Sequence, residues 1–373
     1  VTVAVRVESI ELLRVRLPFL RSFRTARGVE RERDALLVHL LTDSAEGWGE
    51  CAAPRSPGYS EEHAEGAHAA ISELLAPRLL AARPLDPTRP LSAVADIDGN
   101  RMAKAAVEMA VLDAALRAGG ESLAHHLGAT RAAVECGVVV GIPSGIDELL
   151  DEVERRVAEG FRRVKLKIAP GWDVEPVVAV RQRFGRALPL AVDANQAYSG
   201  SDLAVVEQLD GEGLLMIEEP LAAGSLPELA ALARRMRTPI CLDESIPSPA
   251  AAQQALELGA CSVVNVKAPR VGGLLEGVRV HDACRRLRAA AWCGGMFETG
   301  IGRAANLALA ALPGFTMPAD ISPAGRHYEL DLTDPPAVMR DGRIAVPGGP
   351  GLGVTVDTSR LAALGATTEV LRR

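Results

Sequence analysis

A (β/α) barrel preceded by a smaller β-rich and helical region is the fold class this sequence predicts, on three observations. After about residue 130, short apolar strands alternate with amphipathic stretches, which is the pattern of βα units and a parallel sheet. The strands close on a polar residue or glycine at a nearly constant beat: Gly141, Lys167, Asp193, Glu218, Asp243 and Lys267, at intervals of 26, 26, 25, 25 and 24 residues. The 373 residues are 48% hydrophobic but only 3% aromatic, enough for a large core built on Ala, Val and Leu and for two domains.

Taken in order, Ile10 to Pro18 and Ala35 to Leu41 read as strands. Between them lies the arginine-rich Arg21 to Arg33, expected as a long functional loop. From Glu61 to Leu127 the pattern is helical and alanine-rich, and KAAVEMAVLDAALRA (Lys104 to Ala118) places apolar residues on one face with charges around the other. The strands VVVG, VKLK, LAVD, LLMIE, ICLD and VVNVK follow, then AAWCGG at Ala290 to Gly295. Seven or eight such units close most easily as a barrel, with a doubly wound sheet as the architectural rival. A leucine-rich solenoid has a similar period, but its L-x-x-L-x-L signature is missing. The tail from Glu329, with its turn-rich VPGGPGLGV, is too short for a domain and is expected to return to the N-terminal one.

The net charge of −7, without a basic tract, speaks against nucleic acid or an anionic membrane as partner. No uncharged apolar run approaches the ~18 residues of a membrane span, and the N-terminus alternates like a strand instead of carrying a signal peptide's apolar region. The six cysteines are scattered without C-x-x-C spacing, as expected of reduced core residues in the cytoplasm.

The chemistry lies in the strand ends. The C-terminal ends of barrel strands surround one mouth, where active sites are built. Here five successive ends carry Lys167, Asp193, Glu218, Asp243 and Lys267. Converging carboxylates repel unless protonated or neutralised, and three of them form an all-oxygen donor set suited to Mg²⁺, with Mn²⁺ able to substitute. The plainer reading is that acids at these points cap the helices that follow. That accounts for any one of them more readily than for three in register between two lysines. Glu218 and Glu219 point to opposite sides of a strand, and the register favours Glu218 as the ligand, with Glu219 in support. Asn195, two past Asp193, either bonds a ligand oxygen or is a plain loop amide. Lys165, two before Lys167, shares its face and is expected to depress the proton affinity of Lys167, making it a usable base near neutrality. A divalent ion on a substrate carboxylate makes its α-proton removable.

The K-x-K strand, the Asp/Glu/Asp series and the far lysine resemble the muconate lactonizing subgroup of the enolase superfamily, in which a lysine base works beside Mg²⁺. Gly294 to Asp320, GGMFETGIGRAANLALAALPGFTMPAD, narrows the resemblance to o-succinylbenzoate synthases and N-succinylamino acid racemases, and the resemblance extends over essentially the whole chain. The resemblance implies a (β/α)7β TIM-like barrel (131–328), an α+β capping domain (1–130) and a C-terminal segment (329–373) returning to that domain. It implies that Asp193, Glu218 and Asp243 hold Mg²⁺, and that Lys167 and Lys267 flank a small carboxylate substrate. It further implies that the segment around Phe19, Phe23 and Thr25 and the loop Ser56 to Tyr59 cover the site, that Gly295 and Met296 line a succinyl pocket, and that identical chains assemble into an oligomer. In the synthase, Lys167 takes the α-proton of 2-succinyl-6-hydroxy-2,4-cyclohexadiene-1-carboxylate and then assists hydroxide departure, a step of menaquinone biosynthesis. In racemisation the two lysines exchange base and acid roles. Three departures bear on substrate fit: Ala268-Pro269 where the family usually has Pro-Gly, ADISPAGRHY in place of a GDTSAS-type run, and Val139 where relatives often carry a hydroxyl.

Dipeptide epimerases also resemble the chain but carry an Asp-x-Asp late in the barrel, which Gly294–Phe297 does not offer. A Schiff-base lyase and a non-catalytic binding barrel are the rivals from other classes. His63 and His68 are five apart, not the four of an H-E-x-x-H zinc site. His281 lies in a helical pattern, which weakens a His/Asp mechanism. GGPGLG near the end lacks the strand and helix of a dinucleotide motif. The glycines of ETGIGRAAN either cradle an anion at a helix N-terminus or simply begin a helix.

Overall fold

The computed structural model describes residues 3–222 and 224–373. The chain opens with three antiparallel strands, β1 (Val7–Thr25), β2 (Gly28–Thr42) and β3 (Glu46–Cys51), whose inner faces are almost wholly apolar. The stretch Arg21 to Arg33, expected as a loop, is instead the outer half of the β1–β2 hairpin. Its ladder slips register between Pro18 and Phe23, then resumes at Phe23↔Glu30 and turns at Ala26–Arg27. Proline has no N–H to donate to a ladder, which accounts for the break at Pro18.

A helical run over residues 64–81 leads to α1 (Arg101–Gly119). Helix α1 was expected to show a polar face but is buried on nearly every side, Glu108 and Asp113 included. It is enclosed between β3 and the barrel. A Cβ on Gly47 or Gly49 would strike the backbone of Ala110 or Ala106, so only glycine allows the sheet this close to the helix. The charges survive burial by serving other backbones: Asp113 accepts from the N–H groups of Trp48 and Leu352, at 2.9 and 2.7 Å.

The barrel runs β4 (Gly137–Val140), α2 (Ile146–Ala158), β5 (Arg163–Lys167), α3 (Val174–Phe184), β6 (Leu190–Asp193), α4 (Leu203–Gln208), β7 (Ile217–Glu218), α5 (Leu226–Ala233), β8 (Ile240–Leu242), α6 (Pro249–Leu258), β9 (Val263–Val266), α7 (Leu274–Arg286), β10 (Ala290–Cys293) and α8 (Gly300–Ala310). The seven strands form one parallel sheet in chain order, so the doubly wound alternative, which requires a reversal of strand order, is excluded. Residues 316–320 bridge its edges. Thr316 and Asp320 donate N–H bonds to Ala291 and Cys293 of β10, while Ala319 donates to Glu135 and accepts from Gly137 of β4. The ring is therefore a (β/α)7β barrel. The chain ends in β11 (Thr367–Arg372), which pairs antiparallel with β1 and brings the tail back to the first sheet. All six cysteines are buried and free. Among the described residues, no helix is long and apolar enough to cross a membrane.

Candidate active site

The strand ladders set the site. Lys167 stands opposite Asp193, and Asp193 opposite Glu218, in consecutive parallel pairs. Glu218 pairs with Cys241, which places Asp243 two residues further up the next strand, on the same side. Lys267 follows β9 directly. The five side chains thus occupy one arc of the barrel mouth, with three carboxylates between two lysines.

Each carboxylate is met by a cation. Lys167 Nζ lies 2.6 Å from Asp193 Oδ2 and 2.6 Å from Asn195 Oδ1. Lys267 Nζ lies 2.7 Å from Asp243 Oδ2, and the Arg270 guanidinium contacts Asp243 Oδ1. Lys165 Nζ lies 2.6 Å from Glu218 Oε2, 2.7 Å from Asp320 Oδ2 and 3.5 Å from Asp193. Glu218 Oε1 accepts a 2.7 Å bond from Asn265. Burial raises the Asp193 carboxyl, but Lys167 and Lys165 together hold it well below the ordinary carboxylate range.

Two of the lysines hold their protons more firmly than a free side chain does. Burial lowers Lys165, but Asp320, Glu218 and Asp193 outweigh it and push the ammonium above its ordinary value. Lys267 is likewise raised, burial being outweighed by Tyr59, Glu218, Glu244 and Asp193. Lys165 is therefore a fixed interior cation on the strand that carries Lys167.

One cavity of about 620 Å³ opens on this arc. Lys165, Lys167, Asp193, Asn195, Lys267, Gly295, Met296 and Phe23 all line it, as do Phe297 and His327. Glu218 and Asp243 lie fully buried beside its floor. Phe19 stands behind the wall, packed on Phe297 with ring centroids 5.0 Å apart. Phe297 has a left-handed backbone (φ 60) and stacks edge-on against Phe23 at 5.1 Å. Glu219, also left-handed at φ 39, turns away from the mouth and accepts the Asp243 N–H at 2.7 Å, holding that strand end from behind. Burial raises the Glu219 carboxyl to about 7 against the pull of the Ser245 hydroxyl.

The donor chemistry fits Mg²⁺. Three carboxylates on adjacent strand ends supply hard oxygen ligands, and the nearby amines are lysines, which bind protons in preference to hard cations. With each acid drawn to its own lysine or arginine, no three acidic, His or Cys side chains among the described residues are gathered tightly enough to grip an ion as they stand.

Four contributors escaped sequence reasoning. Tyr59, named only as part of a covering loop, donates its hydroxyl to Asp243 Oδ1 at 2.8 Å, and its ring centroid lies 4.6 Å from Lys267 Nζ. Arg270 comes from the single helical turn Ala268–Val271 after Lys267 and Asp320 from the segment that closes the ring, and no periodicity announces either. Asn265 was legible: it stands two before Lys267, the same spacing that singled out Lys165. The helix N-terminus at ETGIGRAAN does hold an anion, but one of the protein's own. Glu50 of β3 accepts from the Thr299 N–H and hydroxyl and from the Gly302 N–H, at 2.7–3.0 Å.

Residues 9–128 match the mandelate racemase/muconate lactonizing enzyme N-terminal domain, and residues 148–360 the enolase C-terminal domain-like family. The chain is 50% identical over 349 residues to an N-succinylamino acid racemase of an Amycolatopsis species, covering 94% of this chain and 95% of that one. It is 42% identical over 356 residues to an o-succinylbenzoate synthase of Geobacillus kaustophilus, covering 95% and 94%. An enolase-superfamily structure from Listeria innocua superimposes with a TM-score of 0.94 at 37% identity, over 99% of both chains.

Proposed function

The chain belongs to the enolase superfamily, within the o-succinylbenzoate synthase and N-succinylamino acid racemase family, and from that premise we propose that it is a Mg²⁺-dependent o-succinylbenzoate synthase. The observation that carries this reading is the pair Lys167 and Lys267, one at each end of the carboxylate arc and both lining the same cavity. Bound on Asp193, Glu218 and Asp243, Mg²⁺ would supply a positive centre that binds the substrate carboxylate and offsets the charge left when the α-proton departs.

The remaining work falls to side chains of this protein. Lys167 takes the α-proton of 2-succinyl-6-hydroxy-2,4-cyclohexadiene-1-carboxylate. The C–H electron pair first passes onto the carboxylate as an enediolate, and then returns as the new ring double bond when the C–O bond breaks. Lys167 returns its proton to the leaving hydroxyl on the same face, so water departs and the ring becomes aromatic. Asn195 accepts from Lys167 and limits its swing. Lys267, held on Asp243 and over the Tyr59 ring, stays an ammonium facing the charge that develops.

The symmetry of the two lysines favours a second reading, racemisation of N-succinylamino acids. There Lys167 removes the proton from one face and Lys267 delivers another to the opposite face, with roles reversed for the other enantiomer. The two readings separate in paired steady-state assays on both substrates with single-lysine variants. Lys167→Ala should lower dehydration by about 10²–10⁴-fold. Lys267→Ala should abolish racemisation while Lys167 still exchanges the α-proton of one enantiomer in heavy water. A wild-type enzyme that turns over the amino acid far faster than the cyclohexadiene would make racemisation the main activity. Full dehydration by Lys167→Ala would sink the synthase assignment.

A further inference from the structure

Arg27 sits in the two-residue turn of the β1–β2 hairpin, far in sequence from the barrel it touches. Its Nη2 lies 3.0 Å from Gln196 Oε1 and 3.0 Å from Glu244 Oε1. Those residues follow Asn195 and Asp243, so one guanidinium from the first domain spans two strand ends of the second. Glu244 is nearly fully buried, and its other oxygen has no partner among the described residues. Asn195 Nδ2 shares the same Glu244 Oε1 at 3.1 Å, and its own Oδ1 accepts from Lys167. The hairpin makes a further contact at the opposite rim, where the Ile142 N–H donates to the Arg24 carbonyl at 2.8 Å. A side chain on Gly141 would strike that carbonyl.

We propose that Arg27 is a positioning residue that couples closure of the hairpin to placement of the base. The chain Arg27–Glu244–Asn195–Lys167 is continuous, and two of its supports are poised: Asn195 and Gln196 both have left-handed backbones, φ 45 and 68. Asparagine tolerates that conformation better than most residues, but glutamine holds it only while its surroundings enforce it. With Arg27 in place, the Glu244 carboxylate is paired and presents a fixed acceptor to Asn195, which in turn fixes Lys167. When the hairpin lifts, a buried carboxylate loses its guanidinium partner, a penalty that favours the closed state. The inference rests on the reading of Lys167 as the base.

The test is a double-mutant cycle with Arg27→Met and Glu244→Gln, followed by kinetics and by hydrogen exchange of residues 21–33 measured by mass spectrometry. Arg27→Met should speed exchange in this segment by about tenfold or more, with the barrel strands unchanged. It should lower kcat/KM by a similar factor, and Arg27→Lys, which keeps the charge, should recover part of both. In the Glu244→Gln background the further loss from Arg27→Met should shrink to less than about threefold, because coupled residues are not additive. Wild-type exchange in the Arg27→Met hairpin, or fully additive effects in the cycle, would overturn the proposal. Hydrogen exchange needs no turnover, so accelerated exchange in a protein inactive on both substrates would sink the functional reading and leave the strap intact.

Discussion

Lys165 shows how one interior charge is made tolerable. It stands on an apolar strand with its ammonium ringed by Glu218, Asp320 and Asp193, and the Trp292 ring centroid lies 4.6 Å away. Arg163, two residues earlier, also lies over the Trp292 ring, 4.3 Å from its centroid, and pairs with Asp320. Replacing Lys165 by Met leaves the buried Glu218 carboxylate without a cation and Asp320 with Arg163 alone, which should cost about 3–5 kcal/mol of stability. Urea denaturation of the variant measures this directly, and a loss under about 1 kcal/mol would show that the acids find protons or other partners. The alternation of the strand revealed that both lysines share a face. It could not reveal what faces them, because Asp320 arrives from residues 316–320, more than 150 positions away.

Among the elements, α8 and α7 each begin on a carboxylate from the first domain. Glu50 of β3 meets the α8 terminus, and Glu108 of α1 meets the α7 terminus at the Leu274 N–H. The orphan N–H groups of a helix start need acceptors, and a buried carboxyl oxygen supplies one whether or not the group is ionised. Glu50→Ala should therefore destabilise the protein by about 1–3 kcal/mol by stranding buried donors, whereas Glu50→Gln, which keeps an acceptor, should cost less. Thermal unfolding of the two variants decides the matter. Glu50→Ala should also raise KM, since α8 begins shortly after Gly295–Phe297 of the cavity wall.

Burial pushes the Glu108 carboxyl up to about 8, with the Leu274 and Leu275 N–H bonds opposing it. A carboxyl raised on folding binds a proton that the unfolded chain has already released. Its contribution is present below the unfolded value and is lost as pH rises from about 4.5 towards 8. Denaturation midpoints between pH 5 and 8 should fall less steeply in Glu108→Gln than in the native sequence. Equal slopes would mean that Glu108 is ionised in the folded state. The helical period of α1 was readable, but its burial on every side was not. Small residues permit close packing on any face, and the glycines that bring β3 against it lie more than 50 residues earlier.

For the molecule as a whole, the two domains share one site. The barrel supplies the acids and lysines, while the hairpin and the 52–59 loop close over them with Arg27, Phe23 and Tyr59. A metal held only by the folded mouth should stabilise the whole. Mg²⁺ added to chelated protein at a hundred times its Kd should raise stability by about 2.7 kcal/mol, and activity should return with it. Calorimetric titration follows the first and assay the second. Asp243→Asn should weaken both, and a chelated sample that keeps full activity would exclude the metal.

The sequence by itself determined the run of βα units and the five residues that close successive strands, while the strand order that makes the sheet a barrel and not a doubly wound fold was settled by the structure. Local periodicity encodes the units and those residues, because a βα unit repeats its pattern and a parallel strand always delivers its last residue to the same rim. Tertiary structure alone decided the rest: Arg270 on Asp243, Tyr59 over Lys267, Asp320 beneath Lys165, Glu50 at α8 and Arg27 across the mouth. These groups meet through turns and domain packing, where no repeat constrains spacing and the partners are chosen by the need to pair every buried charge.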